Sequence, residues 1–406
     1  MRGLMNGLLM RQLQLPVPAG VEIVEAPDTV TQLLPPAAEL LVAAGDSVVA
    51  GASLCRLPGH GMFASISGRV RRIMPWDGGP RGGFIAVIID RKAAEGSRQL
   101  FDPIRDATAF SADTVRERSS QAGFSFPGDN RPLLFTALDE DIDRVTNRWF
   151  VEKEFERVIA GLKVLRHLCG DRTIVIALPA SMTEEKRNRC LPFGEVIVVP
   201  CEYPDTLSDL IIRNHPVLGH SHRVAVIDCK RLLELSATLS TGRVVTTMHV
   251  SLRIGRKGQV RLFQVAVGMS IGQLLSLCKV TVTKGMQIIL GGEMSGASAD
   301  GVHQPLTPDT NSILVLPPHE VVKSENRPCV NCGRCHRICP VRLRVDLIGK
   351  NVEFSLGKEA VRLGIDRCID CGLCTSVCIV RRPMAHLMAF GKSAFLSREN
   401  STGGTV

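Results

Sequence analysis

The pattern of apolar and polar positions first predicts a small all-β unit. Between residues 38 and 73, short apolar runs alternate with Gly-Asp and Ser-Gly steps, as in "AAGDSVVAG" and "ASISGRV". Short apolar runs separated by turn residues are typical of β-strands joined by tight connections.

From residue 130 to 250 the apolar runs alternate with segments of helical spacing. The predicted strands are "PLLFTAL", "RTIVIALP", "EVIVVP" and "RVAVIDC". The predicted helices are "NRWFVEKEFERVIAGLKVLRHLCG", which Gly170 closes, then "EEKRNRC" and "LSDLIIRNH". This alternation predicts an α/β layered domain with a mostly parallel sheet.

Residues 247–318 again contain apolar runs that are typical of β-strands. "GQVRLFQVAVGMSIGQLLSLC" predicts strands followed by a helix, and "QIILGGEMSG" and "NSILVLPP" complete a compact α+β module. A chain of 406 residues is too long for one ordinary core. We therefore expect four domains, at residues 1–105, 106–246, 247–318 and 319–406.

Two cysteine runs with identical spacing carry the clearest chemistry. They are "CVNCGRCHRICP" (329–340) and "CIDCGLCTSVCI" (368–379). C-x-x-C-x-x-C-x-x-x-C is the ligand run of bacterial ferredoxin-type [4Fe–4S] clusters, in which the fourth cysteine ligates the other cluster. The expected first cluster site is Cys329, Cys332, Cys335 and Cys378, and the expected second cluster site is Cys368, Cys371, Cys374 and Cys339.

The alternative to iron is zinc, which usually takes two separated pairs of ligands instead of four cysteines in one run. One departure from the ferredoxin motif is visible, since Ile379 follows Cys378 where Pro340 follows Cys339. The proline is not a ligand, so this change alters packing and leaves the ligand set complete.

The net charge and the aromatic content indicate which classes of partner to expect. The net charge is +9, but aromatic residues make up only 4% and no basic stripe is interleaved with them, so no nucleic-acid partner is expected. Arginines surround the cysteine runs, and their charge would attract an acidic electron carrier such as ferredoxin or flavodoxin. The alternative is an ordinary solvated basic surface. These arginines are Arg334, Arg337, Arg342, Arg344, Arg367, Arg381 and Arg382.

The chain has no apolar run long enough for a transmembrane helix. The start, "MRGLMNGLLMRQLQLP", is broken by Asn6 and lacks the cleavage site of a signal peptide. The other six cysteines stand singly, mostly in apolar contexts, as expected of buried thiols in a reducing compartment. A cytoplasmic protein is expected, peripheral to the membrane if a membrane subunit binds it.

Several motifs carry a family resemblance. "AAGDSVVAG" followed by "ASISGRV" resembles the barrel-sandwich hybrid of biotinyl and lipoyl carriers, without the carrier lysine between them. "VIVVPCEYPDTLSDLI" (196–211), "GGEMSG" (291–296) and "TPDTNSILVLP" (307–317), with the cysteine runs, resemble the C subunit of Rnf-type electron transport complexes. These complexes couple ferredoxin and NAD redox chemistry.

The resemblance implies four modules in order. They are a barrel-sandwich hybrid, a Rossmann-like α/β domain similar to the flavin- and NADH-binding subunit of respiratory complex I, a β-grasp-like (SLBB) module, and a two-cluster ferredoxin-like helical segment.

The flavin site implied by the resemblance is degraded. The family's glycine-rich FMN loop corresponds to "SSQAGFSFPGDN" (119–130), where Gly123 and Phe124 remain but Ser119-Ser120-Gln121 replaces glycines, and Asp129-Asn130-Arg131 stands where the family has a lysine. A second family motif with two glutamates corresponds to "TALDEDID" (136–143), with Asp139 and Asp141 in their place. A residual FMN site is implied at these four residues; taken alone, such an acidic loop is most often solvated.

Two functions remain open. The first is a relay subunit that passes electrons through two [4Fe–4S] clusters between a small carrier and a partner oxidoreductase or membrane-complex subunit. The second, implied by the resemblance, is an FMN-containing NADH:acceptor oxidoreductase, since flavins convert two-electron into one-electron chemistry. The degraded loop favours the relay, and no catalytic residue is assigned.

Overall fold

The computed structural model describes residues 15–57, 61–78, 83–92, 96–125, 130–221, 223–325 and 327–402. The start of the chain (1–14) and Phe126–Asp129 of the loop discussed above lie outside the described residues. The chain divides into two compact units. The first comprises Met1–Gly292 and Ala297–His319, and the second Glu293–Gly296 and Glu320–Val406. The finer domain boundaries at 105 and 246 stay predictions.

The N-terminal part of the first unit is all-β, which confirms the prediction from its pattern. Its strands are β1 (Val21–Ile23), β2 (Thr29–Leu34), β3 (Glu39–Leu40), β4 (Ser47–Val48), β5 (Ser53–Arg56), β6 (Met62–Phe63), β7 (Gly68–Trp76) and β8 (Phe84–Arg91). One antiparallel sheet has the order β2-β8-β7-β4, and another has the order β3-β5-β6.

Strand β2 shows how the alternating pattern builds this core. Val30, Gln32 and Leu34 point inward at every second position, as the two-residue repeat of a strand requires. The polar member, Gln32, donates from Nε2 to Ser65 Oγ (2.7 Å) and to the carbonyl of Val267 (2.9 Å). The buried amide nitrogen is therefore satisfied.

The α/β part confirms the predicted parallel sheet. Its elements are α1 (Ala112–Gln121), β9 (Leu133–Thr136), α2 (Thr146–Lys153), α3 (Phe155–Cys169), β10 (Ile174–Pro179), α4 (Glu184–Asn188), β11 (Glu195–Val199), α5 (Ser208–Asn214), β12 (Ala225–Asp228) and α6 (Cys229–Thr241). The strand order is β11-β10-β9-β12, with parallel pairing throughout. Every residue of β9 and β10 is buried, as expected for central strands covered on both faces.

One predicted helix is two. The segment before Gly170 breaks at Glu154, whose backbone is not helical (φ −122°, ψ 33°). In one continuous helix Phe150 and Phe155 would point about 140° apart, from 3.6 residues per turn. The break lets both rings enter the same core. Gly170, with φ +56°, ends α3 as predicted.

Residues 247–318 contribute most strands of a further sheet, with one helix packed on it, as their pattern predicted. The elements are β13 (Thr247–Ile254), β14 (Val260–Ala266), α7 (Ile271–Leu277), β15 (Gln287–Leu290), β16 (Ala297–Ser298) and β17 (Ser312–Leu316). The order is β1-β14-β13-β17-β15-β16, so β1 from the start of the chain lies in this sheet, parallel to β14. Ser270 and Gln273 cap α7 through reciprocal side-chain bonds.

The second unit is helical. It contains α8 (Arg334–Ile338), α9 (Val345–Glu353), α10 (Gly357–Arg362), α11 (Leu373–Ser376) and α12 (Met384–Thr402). Its core includes Leu343, Val345, Ile348, Val352, Ala360, Ile365, Met384 and Met388. Among the helices of the described chain, none has the length and apolar character needed to cross a bilayer.

A half-buried histidine makes the first unit sensitive to acid. His249 on β13 packs edge-on against Phe150, with ring centroids 4.9 Å apart. Burial, together with the charges of Lys230 and Arg157, lowers the pKa of His249 from 6.5 to about 4. The unfolded chain therefore binds a proton that the folded chain excludes as pH falls from 6.5 towards 4.

We expect His249→Gln to remove part of the loss of stability in acid. Between pH 7 and pH 5 the natural chain should lose about 2 kcal/mol more unfolding free energy than this variant, from the depressed pKa. Urea unfolding at both pH values measures the difference, with His220→Gln at an exposed position as the control. Equal acid losses for the natural chain and His249→Gln would contradict the prediction.

Candidate metal centre

The two cysteine runs adopt the same local backbone structure. Asn331 and Asp370, between the first and second cysteines of each run, have φ of +56° and +51°. Gly333 and Gly372, after the second cysteine, have φ of +69° and +72°, and α8 and α11 begin directly after them. Left-handed residues turn the chain sharply, so each short run can wrap around one volume.

The fourth cysteine of each run accepts a backbone hydrogen bond. The N–H of Leu343 donates to Cys339 Sγ, and the N–H of Arg382 donates to Cys378 Sγ, both over 3.3 Å. Donors of this kind stabilise the negative charge that a cysteine ligand brings to an iron–sulfur cluster.

Four thiols from both runs line one cavity. Cys368, Cys371 and Cys374 of the second run face it together with Cys339 of the first run. The rest of the lining is mostly apolar and consists of Val341, Leu343, Val345, Ile369, Asp370, Gly372, Leu373, Ala385 and Met388. Burial raises the pKa of Cys368 to about 12 and of Cys371 to about 11, and raises that of Cys374 further. A coordinating metal deprotonates such thiols outright.

Two of the other four thiols, those of Cys329 and Cys378, interact with Arg382. Its guanidinium pairs with Glu353 and donates from Nη1 to the carbonyl of Arg327 (3.0 Å). Glu353 above all raises the pKa of Arg382, and the thiols of Cys329 and Cys378 raise it further. Cysteines from both runs therefore lie near one buried cation.

This arrangement fits cubane clusters. In the described residues, no group of three or more His, Cys, Asp or Glu side chains closes on a single metal ion. A [4Fe–4S] cubane takes one thiolate on each of its four irons, so its ligands surround a volume instead of a point. A cavity lined by four thiols supplies such a volume.

The acidic loop proposed for flavin serves the protein fold instead. Asp139 Oδ1 accepts the N–H of Asn147 (2.9 Å), and its Oδ2 accepts the N–H (3.3 Å) and Nε (3.2 Å) of Arg148. These bonds place the carboxylate at the start of α2, where the helix dipole favours it. Burial raises the pKa of Asp139, while the Arg148 guanidinium opposes that rise.

The expectation that this loop is solvated is wrong. Asp139, Asp141 and Asp143 are all buried. Asp143 pairs with the buried guanidinium of Arg253, and a Cβ on Gly292 would collide with the carboxylate of Asp141. Charged side chains are buried where they have such partners.

The four residues implied for FMN fall into two pairs. Asp139 and Asp141 line one cavity, and among the described residues Gly123 and Phe124 are not part of its lining. Gly123 (φ +82°) packs against the backbone of Gly61. Phe124 lies beneath the guanidinium of Arg231, 4.0 Å from the ring centroid, and Arg231 Nη2 donates to the carbonyl of Gly123 (3.1 Å).

The crevice where such sheets usually bind ligands is bridged by Asn147. The strand order reverses direction between β9 and β12, and doubly wound sheets bind nucleotides at that switch point. Asn147 Nδ2 donates to the carbonyl of Leu138 (2.8 Å), and its Oδ1 accepts the N–H of Lys230 (3.2 Å). All three residues are buried. A backbone donor that a phosphate would use is therefore bonded within the protein.

Sequence reasoning missed Asn147 because its position at the start of a predicted helix is unremarkable. Its role depends on two strands ending side by side, which no local pattern reports. The residues present therefore do not fit an FMN site of the implied composition.

The comparisons with known proteins agree with the cysteine geometry. The family described as "4Fe-4S dicluster domain" matches residues 321–379, which contain all eight cysteines of the two runs. The C-terminal region is thus of the two-cluster ferredoxin class.

Beyond this region, the chain is similar to the C subunit of the "Ion-translocating oxidoreductase complex" of Rhodobacter capsulatus, 24% identical over 60% of this chain and 50% of that protein. The Edwardsiella ictaluri protein of the same name is 26% identical, over 81% of this chain and 45% of its own length. The C subunit of the "Proton-translocating ferredoxin:NAD(+) oxidoreductase complex" of Clostridium ljungdahlii is 21% identical over 51% of this chain and 49% of that protein.

The resemblance to the C subunit of Rnf-type complexes is therefore confirmed, and the chain spans about half the length of the curated relatives it matches. A chain of an air-oxidized NAD+-reducing [NiFe]-hydrogenase overlaps with a TM-score of 0.45 at 13% identity, covering 71% of this chain and 62% of that one. This overlap is too low for a shared fold to be inferred.

We expect Asp139→Ala to lower the unfolding free energy by about 3–5 kcal/mol, because the mostly buried guanidinium of Arg148 and two helix N–H groups would lose their acceptor. Chemical denaturation measures the change, with the exposed Asp171→Ala as the matched control. A loss no larger than that of the control would mean that the carboxylate is free to bind a ligand.

Proposed function

We propose that this chain is an iron–sulfur relay subunit. It passes single electrons through two [4Fe–4S] clusters between a small redox carrier and a partner oxidoreductase or membrane-complex subunit. The observation that carries the proposal is the cavity lined by thiols of both cysteine runs. The match of this region to a two-cluster family supports it.

In this proposal the first cluster site takes Cys329, Cys332, Cys335 and Cys378, and the second takes Cys368, Cys371, Cys374 and Cys339. The clusters, when bound, supply one-electron transfer. The protein supplies the thiolates and the donors to Cys339 and Cys378. Around the second site it also supplies the apolar side chains that limit access of water.

The first unit acts as a docking body in this proposal. Its modules are a barrel-sandwich hybrid, an α/β domain like that of the flavin-binding subunit of complex I, and a β-grasp-like module. The flavin site is degenerate, because Asp139 is bonded to α2 and Asn147 bridges the switch point. The names of the relatives support a partner in a multi-subunit, ion-translocating complex. Through such a partner, the proposal gives the chain a peripheral position at the cytoplasmic face of a membrane.

The second candidate is an FMN-containing NADH:acceptor subunit. The printed name of the Clostridium ljungdahlii relative includes ferredoxin:NAD(+) oxidoreductase, which favours it. Flavin content separates the candidates. Anaerobically reconstituted protein that retains one FMN per chain, after FMN is offered and gel-filtered away, would restore the enzymatic function, and flavin-free protein supports the relay.

The ligand sets predict how paired substitutions act. The natural chain should hold about eight irons, from two cubanes. Cys335→Ala with Cys378→Ala removes two ligands from the first site only, so about four irons and one unaltered [4Fe–4S] cluster should remain. Cys335→Ala with Cys339→Ala removes one ligand from each site, so neither cluster keeps four thiolates.

Iron analysis and electron paramagnetic resonance of the reduced protein read out both pairs. Cys201→Ala lies outside the two runs and should leave about eight irons. If each run held its own cluster, the two double variants would exchange their outcomes. Zinc in place of iron in the natural chain would overturn the proposed function.

An acidic carrier predicts a salt-dependent rate. Reduction of ferredoxin by the loaded protein should slow about tenfold between about 50 mM and about 500 mM salt, because charge steering is screened. Arg334→Glu, at an exposed position of the first run, should slow the reaction at low salt, while Arg362→Glu outside the runs should not. A rate independent of salt would leave the arginines as an ordinary solvated surface.

A further inference from the structure

The two cluster sites differ at equivalent positions of the two repeats. Four residues after the last cysteine of each run, the N–H that donates to sulfur belongs to Leu343 in the first run and to Arg382 in the second. Both side chains are buried. Leu343 lines the second cluster site, whereas Arg382 lies by the thiols of Cys329 and Cys378 in the first. An apolar group and a cation thus occupy matching places.

A second difference concerns the left-handed residue of each run. Asn331 Oδ1 accepts a hydrogen bond from Lys350 Nζ (2.8 Å), whereas Asp370 pairs with Lys392. Each side chain lies close to the first cysteine of its run, with Asn331 Oδ1 3.8 Å from Cys329 Sγ and Asp370 Oδ1 3.6 Å from Cys368 Sγ. The first site therefore has a neutral amide and a cation, and the second has a neutralised pair.

The remaining charges near the first site do not cancel its more positive surroundings. Arg344 pairs with Asp346 (2.9 Å), so these two charges largely cancel. Glu353 compensates part of the charge of Arg382, but Glu353 is more exposed than the guanidinium, with 31% of its side chain accessible against 8%. A carboxylate in contact with water is screened more strongly than a buried cation.

Reduction of a [4Fe–4S] cluster adds one negative charge. Nearby cations stabilise that charge, whereas a nearby carboxylate and an apolar, dry surrounding oppose it. Both differences between the sites act in the same direction.

We propose that the two clusters have unequal reduction potentials. The potential of the cluster at the first site is higher than that at the second, because of Arg382 and the Asn331–Lys350 pair. This inference rests on the proposed function, since it requires both clusters. An electron shared between the clusters then resides mainly on the first. Arg382 is not a ligand, and it acts by placing its positive charge beside the ligands of the first cluster. The second cluster, whose neighbouring cation Lys392 is neutralised by Asp370, is the stronger reductant.

Exchanging the residue types at positions 331 and 370 tests this inference with little risk of disturbing the backbone. Asn331 and Asp370 are exposed, and both Asn and Asp tolerate a positive φ. The measurement is a redox titration of the reconstituted protein, followed by electron paramagnetic resonance, which resolves two reduction waves. Asn331→Asp should lower the upper wave, and Asp370→Asn should raise the lower wave.

Substitution of Arg382 and substitution of its partner Glu353 should shift the potential of the first cluster in opposite directions. Arg382→Gln should lower the upper wave by about 59 mV, which is a tenfold change in a one-electron equilibrium. Glu353→Gln should raise the same wave, because the guanidinium loses its counter-charge. Arg381→Gln, an exposed neighbour that pairs with Glu325, is the matched control and should move neither wave by more than a small fraction of that shift.

The outcomes separate this inference from the proposed function. Protein that binds fewer than eight irons in its natural form would overturn the proposed function itself. With about eight irons present, coincident waves, equal movement of both waves, or a response of the lower wave to Arg382→Gln would each overturn the inference. If Arg382→Gln fails to assemble its clusters, the exposed exchange variants decide the question.

Discussion

The second unit depends on one constraint, which is that thiols of both cysteine runs meet around a small volume inside a helical core. Short spacing alone cannot bring this about. Asn331, Gly333, Asp370 and Gly372 turn the chain left-handed within each run, and each run then enters a short helix that carries its third cysteine. Four of the cysteines, Cys335, Cys339, Cys368 and Cys374, pack against the apolar core of this unit.

The first unit uses similar residue types for a different purpose. Its acidic loop and its glycines resemble the elements of a flavin site, yet here they make contacts within the protein itself. Asp139 begins α2, Asp143 compensates Arg253, and Gly123 allows close approach to Gly61. Each group is already bonded or packed within the protein, so a ligand would have to displace these contacts. The cost of displacing them disfavours ligand binding at this position.

The internal repeat of the second unit is symmetric in backbone and asymmetric in charge. The positive φ angles and the hydrogen bonds to the fourth cysteines recur in both runs, because cubane ligation demands the same loop twice. The side chains at matching positions are free to differ. In the proposed relay, the difference between Leu343 and Arg382 would give an electron a preferred cluster.

The sequence by itself determined the cluster chemistry, the all-β start, the parallel α/β layer and the closing of α3 at Gly170. These features depend on neighbours within a few residues, where ligand spacing, alternation and turn residues act directly. The tertiary structure decided the break at Glu154, the burial of Asp139, the bridge made by Asn147 and the place of β1 beside β14. Each of these depends on a partner far along the chain, such as Arg253 for Asp143 or Lys230 for Asn147. A local pattern contains no information on whether a charged side chain will meet its partner in the interior or remain in water.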